Sequence, residues 1–219
     1  RFRWKDQPGA KPPGRIGLAA FDFPNGTLLL TEASKKKRAS VMVLSGETAL
    51  RELDPGGLEI FECDLAAFAE RLRSESHTLK RALTTPALFS GIGNAYSDEI
   101  LNAAGLSPVA LTRKLDDAAV ARLFEAARQQ LSHWSERLRA EFADRFPDAG
   151  EITAFRPDFS VHGKFGEPCG RCGTKVQRIR YAENETNYCP LCQTDGRILA
   201  DRSLSRLLKD DWPRSLDDL

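Results

Sequence analysis

Four of the five cysteines stand in two Cys-x-x-Cys pairs, which is an arrangement that can bind a metal ion. The pairs are Cys169 with Cys172 and Cys189 with Cys192. The 16 residues between them leave room for two tight turns that bring four thiolates to one tetrahedral Zn²⁺. Residues 176–181 and 185–188 would form the two strands of a zinc-ribbon hairpin, whose fold would depend on the metal. A redox pair is the competing interpretation, but it needs only one Cys-x-x-Cys and a βαβ context.

Basic residues surround these cysteines. Residues 164–182 contain five Lys or Arg, among them Lys164 and Arg178, against the single acidic Glu167. Such an excess on a rigid hairpin suits contacts to phosphates, and a solvated charged surface is an equally simple interpretation.

A glycine-rich turn provides a second candidate for chemistry. Gly91-Ile92-Gly93 precedes Asn94, which begins a predicted helix ending near Gly105. Free N–H groups and the positive end of that helix would face an anion approaching the turn. The segment lacks the third glycine and the preceding strand of a dinucleotide-binding fingerprint. A plain helix–turn–helix connection would explain the glycines alone.

The elements that position these groups can be predicted from periodicity. Residues 16–31 read as a hairpin with its turn at Pro24-Asn25-Gly26, and residues 39–44 read as a third strand. Helical spacing begins after Asp64, and the clearest helix covers about 117–146 with Asp116 as its cap. Three strands make an incomplete sheet, so we expect its missing half to precede residue 1.

Composition narrows the class of protein. The net charge of +1 hides a basic start, because residues 1–40 carry nine Lys or Arg against three acids. Five cysteines are an odd number, and the two Cys-x-x-Cys pairs favour a metal site in a reducing cytosol over a disulfide framework. The remaining Cys63 is expected to be a partly buried apolar residue. The sequence contains no apolar run long enough to span a bilayer. It begins with Arg1 and not Met, so we expect a processed chain or a fragment.

Two motifs together resemble a known family. The segment 91–101 followed by 104–108, and the segment 161–169 leading into the four cysteines, resemble the helix–two-turn–helix motif and the zinc finger of the formamidopyrimidine-DNA glycosylase and endonuclease VIII family. The resemblance covers about residues 1–193. It implies an α+β fold composed of a partial N-terminal β-sandwich, a helical helix–two-turn–helix domain and a C-terminal zinc-ribbon finger. The implied boundaries are 1–50, 60–147 and 158–195, with a tail at 196–219 that contains a short helix.

The resemblance also implies an activity. Family members flip an oxidised base out of the duplex, cut its glycosidic bond and nick the strand at the abasic site by lyase chemistry. An N-terminal proline amine, the adjacent glutamate and a lysine carry that chemistry, and none of the three has a counterpart in this chain. A damage-binding protein without catalytic activity is therefore the main alternative, and an RNA-associated zinc-ribbon protein is a weaker one.

The implied partner is double-stranded DNA with a damaged base or an abasic site, bound by a monomer in the bacterial cytosol or nucleoid. The expected DNA contacts are Lys35, Lys36, Lys80, Gly91, Gly93, Asn94, Tyr96, Lys164, Arg178 and Asn184. The expected cofactor is one structural Zn²⁺. Two departures from the family stand out: residues 33–38 lack the aromatic wedge of its DNA-filling loop, and Asn184 stands in place of an arginine. The leucines of the tail, Leu204, Leu207 and Leu208, predict a helix that packs on the protein or, as a second possibility, binds a partner.

Overall fold

The computed structural model divides the chain into two compact units. It describes residues 1–36, 38–148, 150–151, 155–181, 184–201 and 204–218, so Lys37 of the basic segment lies outside the described residues. The first unit, here called the sheet unit, comprises Arg1–Leu53 and Glu136–Ala154. The second, the helix-and-finger unit, comprises Asp54–Ser135 and Phe155–Leu219.

The sheet unit contains the predicted hairpin. Strands β1 (Phe2–Lys5), β2 (Gly17–Phe23) and β3 (Gly26–Thr31) form an antiparallel sheet in the order β1-β3-β2. Gly26 opens β3 where the indole of Trp4 crosses the backbone, and a Cβ there would lie 2.3 Å from the ring. Only glycine allows that close approach. Because β2 ends at Phe23 and β3 begins at Gly26 as its antiparallel partner, the predicted hairpin is confirmed.

The predicted third strand is wrong. Residues 39–44 form neither helix nor strand, and the third strand is β1, which pairs along the free edge of β3. The apolar run remains at the surface, with Met42 60% and Val43 98% exposed. An apolar run favours extended backbone, but residues 39–44 pair with neither of the outer strands β1 and β2. The short helix α1 (Gly46–Arg51) follows.

Four helices form the larger part of the helix-and-finger unit. They are α2 (Leu65–Ser74), α3 (Leu79–Leu83), α4 (Asn94–Ala104) and α5 (Asp117–Glu141), whose last turn belongs to the sheet unit. Asp64 accepts a hydrogen bond from Ala67 N at 2.8 Å, and Asp116 accepts one from Ala119 N at 2.7 Å. Both predicted caps are therefore confirmed. Helix α5 ends at Glu141, earlier than the expected end at 146.

An aromatic and aliphatic core holds these helices together. Phe68 of α2 lies between Phe89 and Phe124, with ring centroids 4.9 and 5.1 Å apart. Cys63 packs at the edge of this core, half-buried, as predicted.

The finger follows as strands β4 (Gln177–Tyr181) and β5 (Asn184–Tyr188) and helix α6 (Pro190–Thr194). The strands pair in antiparallel register, with Ile179 opposite Thr186. This confirms the predicted zinc-ribbon hairpin. Short 3₁₀ turns lie at Gly14–Ile16, Thr112–Lys114, Lys209–Asp211 and Leu216–Asp218.

The tail contains the expected short helix, α7 (Leu204–Leu208), but the leucines do not all pack. Leu207 is 76% exposed and Leu208 is 40% exposed. The tail is held instead by the buried Ile198 and Leu199, which directly follow the finger. The amphipathic pattern therefore predicts the helix correctly, whereas Leu207 and Leu208 do not pack as expected; the side chain of Leu204 lies outside the described part of the chain. None of the described helices is both long and apolar enough to cross a membrane.

Candidate metal centre and nucleic-acid interface

The four cysteine sulfurs converge at the base of the finger. All four Sγ atoms lie within 4.8 Å of one another. A tetrahedral zinc site with Zn–S bonds of about 2.3 Å requires S···S separations of about 3.8 Å, so the cluster fits zinc in both donor chemistry and size. Gly173, at φ +75°, closes the first knuckle by donating to Cys169 O, and Cys192 N donates to Cys189 Sγ in the second. The donor set that the spacing predicted is therefore assembled by the fold.

One of these thiols is already biased toward the form that binds metal. Burial by itself would raise the pKa of the Cys172 thiol, but hydrogen bonds involving Thr174, Cys189 and Cys192 outweigh burial and lower the pKa to about 6. The thiolate is the species that binds zinc, and burial raises the pKa of the neighbouring Cys189 and Cys192 thiols, so zinc binding displaces their protons.

The glycine turn lies beside the finger in the same unit. Gly91 adopts φ +75°, and Gly93 precedes α4 without a side-chain cap. Asn94, the first residue of α4, is half-buried, and its Nδ2 donates to Glu185 O of strand β5 at 3.2 Å. The turn and the finger hairpin are thus tied together at the residue where the helix begins.

Lys80 lies beneath this turn and not on its surface. Its Nζ is 2.6 Å from Asp98 Oδ1 and donates to Asn94 O at 2.6 Å, and its side chain is only 6% exposed. Burial lowers the pKa of Lys80, and the neighbouring Asp98 opposes that shift. The Lys80 ammonium therefore supports the turn from inside, and its expected contact with DNA stays a prediction.

Two buried acids on α4 connect the turn to the finger. Asp98 Oδ2 lies 2.7 Å from His162 Nδ1 and accepts from Asn187 N at 3.0 Å. Glu99 accepts backbone hydrogen bonds from residues 160–162, all at 2.7–2.9 Å. Asp98, Glu99 and His162 lie within the segments that resemble the family, but the sequence analysis gave them no role. Two adjacent acids on a helix that also carries buried apolar residues were the available signal, because buried carboxylates require partners.

A groove of about 690 Å³ opens between the turn and the hairpin. Gly93 and Asn94 line one side, and Asn184 lines the other. Arg81 of α3 and Arg180 of β4 also line it, both are exposed, and neither guanidinium has a hydrogen-bonding partner in the part of the chain that the structure describes. The groove therefore brings Gly93, Asn94 and Asn184 together with the two arginines, and the contacts of these residues with DNA stay a prediction.

The remaining expected contacts are more scattered. Tyr96 is half-buried, packed edge-on against Trp134 and Phe159. Lys164 pairs with Glu167 at 3.0 Å and is 21% exposed. Arg178 lies 4.2 Å above the ring of Phe165. Gly91 is exposed at the turn, whereas Lys35 and Lys36 are exposed in the sheet unit.

Comparison with known proteins agrees with this architecture. The formamidopyrimidine-DNA glycosylase H2TH domain model matches residues 56–137, and the model of the zinc finger found in FPG and IleRS matches residues 166–194. The structure of MutM in complex with carbocyclic 8-oxo-G containing DNA superposes with a TM-score of 0.71 at 24% identity, covering 89% of this chain and 71% of that one. Lactococcus lactis Fpg bound to an AP site containing DNA gives 0.71 at 25% identity, with coverage of 89% and 70%.

Curated relatives are more similar in sequence. An uncharacterized formamidopyrimidine-DNA glycosylase-like protein of Mycobacterium tuberculosis is 39% identical over 166 residues, which is 76% of this chain and 100% of that protein. The formamidopyrimidine-DNA glycosylase of Herpetosiphon aurantiacus is 34% identical over 84% of this chain and 67% of its own length. In contrast, the chain covers only 47% of the Desulfitobacterium hafniense enzyme. Both family models match this chain, and two relatives are 39% and 34% identical to it. The chain therefore belongs to the formamidopyrimidine-DNA glycosylase family.

Proposed function

We propose that the helix-and-finger unit binds the backbone of duplex DNA that carries a damaged base or an abasic site. The observation that carries the proposal is the bond from Asn94 to Glu185, which joins the turn and the hairpin along one groove. In this proposal residues 60–147 and 158–195 supply the two sides of the interface, and residues 1–50 are part of a catalytic sandwich. The solved relatives in complex with damaged or abasic DNA support this assignment of the ligand.

The chemistry of the groove suits phosphates. The first N–H groups of α4 have no side-chain cap, and an anion at that position would satisfy them. The exposed guanidiniums of Arg81 and Arg180 can neutralise further phosphates and release counterions. Contacts of this kind position a duplex without reading its sequence. Lys80 contributes indirectly by fixing the carbonyl of Asn94.

The test is the affinity of Asn94→Ala for duplexes with an abasic site. We expect a loss on the order of 1–3 kcal/mol that is similar for different flanking sequences, because a hydrogen-bonding group is removed from a desolvated contact. Gln129→Ala, which removes an exposed amide on α5, is the matched control and should bind like the parent. Unchanged affinity in a folded Asn94→Ala variant would exclude the turn from the interface.

We further propose that the complete activity is base removal followed by strand cleavage, and that this 219-residue chain alone does not perform it. The family's chemistry needs a neutral amine at the sugar carbon beside a proton-transferring glutamate. In this chain the amino group of Arg1 donates to Thr31 O at 2.5 Å, within the sheet, and no Pro-Glu pair occurs in the sequence.

Borohydride trapping on abasic-site DNA tests this second proposal. We expect binding without a covalent adduct, which is also what a damage-binding protein without catalysis would give. Joining a Pro-Glu-containing family segment ahead of Arg1 separates the two, since a glycosylase chain should then form the adduct. An adduct formed by the 219-residue chain at the rate of a complete family member would disprove the proposal.

We also propose that the finger holds one zinc ion per chain and that the protein is a monomer. The four sulfurs form a single cluster, which supports this stoichiometry. Light scattering at several concentrations would reveal any larger species. The metal itself would serve structure: its four sites are all filled by protein sulfur, as in structural zinc centres.

A further inference from the structure

The tail that follows the finger is hydrogen-bonded to both strands of the finger hairpin. Leu199 N donates to the hydroxyl oxygen of Tyr188, the last residue of β5, at 2.7 Å. Arg180 N of β4 donates to Asp201 Oδ2 at 2.6 Å. Tyr188 is fully buried and Asp201 is 2% exposed, so both bonds are shielded from water. The first residues of the tail therefore hold the hairpin from outside.

The same part of the tail is fixed by a fold of its own. Residues 196–198 run antiparallel to residues 214–216 and share two backbone hydrogen bonds of 2.9 Å with them. Ile198, in the inner segment of this pair, is buried. The carbonyl oxygen of Asp201 accepts from Ser205 N at 2.8 Å, where α7 begins. The Asp201 carboxylate is therefore carried by backbone that is held on both sides.

This contact lies directly beside the groove. Ala200, between the two bonded residues of the tail, lines the groove together with Arg180 and Asn184. Strands β4 and β5 form a two-stranded sheet, and a hairpin of that size is only marginally stable by itself. A carboxylate that accepts from a backbone N–H makes one of the stronger hydrogen bonds in proteins. Asp201 therefore fixes β4 at the residue whose exposed guanidinium lines the groove.

We propose that Asp201 is a positioning residue for DNA binding, which holds the backbone of Arg180 so that its guanidinium meets a phosphate in the groove. Asp201 is itself buried, and a carboxylate would repel a phosphate, so it acts through Arg180 and not by touching DNA. This inference rests on the proposed function. It adds the tail to an interface that the proposed function confines to residues 60–147 and 158–195.

The experiment measures the affinity for a duplex with one abasic site at several salt concentrations. The proteins compared are the full chain, Arg180→Ala, Asp201→Ala and the variant with both substitutions. We expect Arg180→Ala to bind on the order of fivefold more weakly and to lower the salt dependence by about one counterion, because one phosphate contact is lost. Asp201→Ala should show a smaller loss of the same kind, about threefold. The double variant should bind like Arg180→Ala, because Asp201 acts through that residue.

Two further variants control for charge and for the hydrogen bond. Asp217→Ala removes the same carboxylate from an exposed position of the tail and should bind like the parent. Asp201→Asn keeps an oxygen that can accept from Arg180 N, so it should bind more tightly than Asp201→Ala. Amide exchange at Arg180 should be faster in Asp201→Ala than in the parent, which reports the loss of the bond itself.

The outcomes separate this inference from the proposed function. Parent-like affinity of Asp201→Ala, or additive losses in the double variant, would overturn the role of Asp201. A loss of zinc from Asp201→Ala would also overturn it, because the residue would then support the whole finger and not Arg180. Each of these results leaves the groove standing if Asn94→Ala binds weakly, whereas unchanged binding by Asn94→Ala would contradict the proposed function.

Discussion

The helical core and the finger stand side by side in one unit, yet they are stabilised by different means. The core buries 16 apolar residues, including Phe68 and Phe89, and the half-buried Phe124 packs against them. The finger's own cluster has only four, Val161, Val176 and two of the cysteines, Cys169 and Cys189. A core of that size cannot fold a hairpin, so the metal must supply the difference. The proposed interface therefore combines a part that folds by hydrophobic burial with a part that depends on metal binding.

The two parts are joined by polar bonds and by a small apolar cluster of Ala95, Trp134 and Phe159. Asp98 and Glu99 reach from α4 to His162, to Asn187 and to the backbone that leads into the finger. Asn102 adds a bond from α4 to Gln193 of α6 at 3.0 Å. Directional bonds of this kind fix relative position more tightly than apolar contact does, which suits a surface that must match the spacing of phosphates.

The largest expected effect concerns the metal. Cys189→Ser should abolish stoichiometric zinc and unfold the finger, because structural zinc contributes on the order of 10 kcal/mol to small metal-dependent folds. Hydrogen exchange should then become fast across 166–194 and remain slow in α2 and in the middle of α5. Metal analysis should find one zinc per chain in the parent and in the control variant Cys63→Ser, and less than one in Cys189→Ser. Full zinc in Cys189→Ser, or none in the parent, would contradict the assignment.

The next effect concerns the link between the two parts. Lys80→Met should lower the free energy of unfolding by about 3–5 kcal/mol, because the buried Asp98 loses its charge partner. Adding Asp98→Asn should recover part of that loss, which urea denaturation of both single variants and the double variant would measure. Lys114→Met, at an exposed position, is the control. Additive losses in the double variant would show that the two side chains are not coupled.

The smallest effect is a pH dependence at the join between finger and tail. Burial raises the pKa of Tyr188 to about 12, although its oxygen accepts a hydrogen bond from Leu199 N. An unfolded tyrosine loses its proton near pH 10, so between pH 10 and 12 the folded state holds more protons than the unfolded state. Stability should therefore fall as pH rises, by about 1 kcal/mol between pH 9 and pH 11. Tyr188→Phe should remove this part of the pH dependence of the unfolding free energy, which urea denaturation at several pH values would measure. A parent protein whose unfolding free energy does not change between pH 9 and pH 11 would contradict the raised pKa of Tyr188.

The sequence alone determined the features that depend on local spacing. Two Cys-x-x-Cys pairs fix two turns, Asn25-Gly26 fixes a hairpin, and Asp64 and Asp116 fix helix starts, because each acts within a few residues of itself. The zinc ligands and the position of Asn94 at a helix start follow from the same local rules. The family resemblance rests on these motifs too.

The tertiary structure decided every feature that depends on contacts between segments far apart in the sequence. Residues 39–44 read as a strand, but they pair with no strand, and β1 is the third strand of the sheet. Lys80 is an expected DNA contact, but α4 places Asp98 and the Asn94 carbonyl against its ammonium. The exposed leucines of the tail and the stacking of Phe155 on His162 have the same origin. Burial and pairing are properties of two segments brought together over long sequence separations, so no single segment contains the information that sets them.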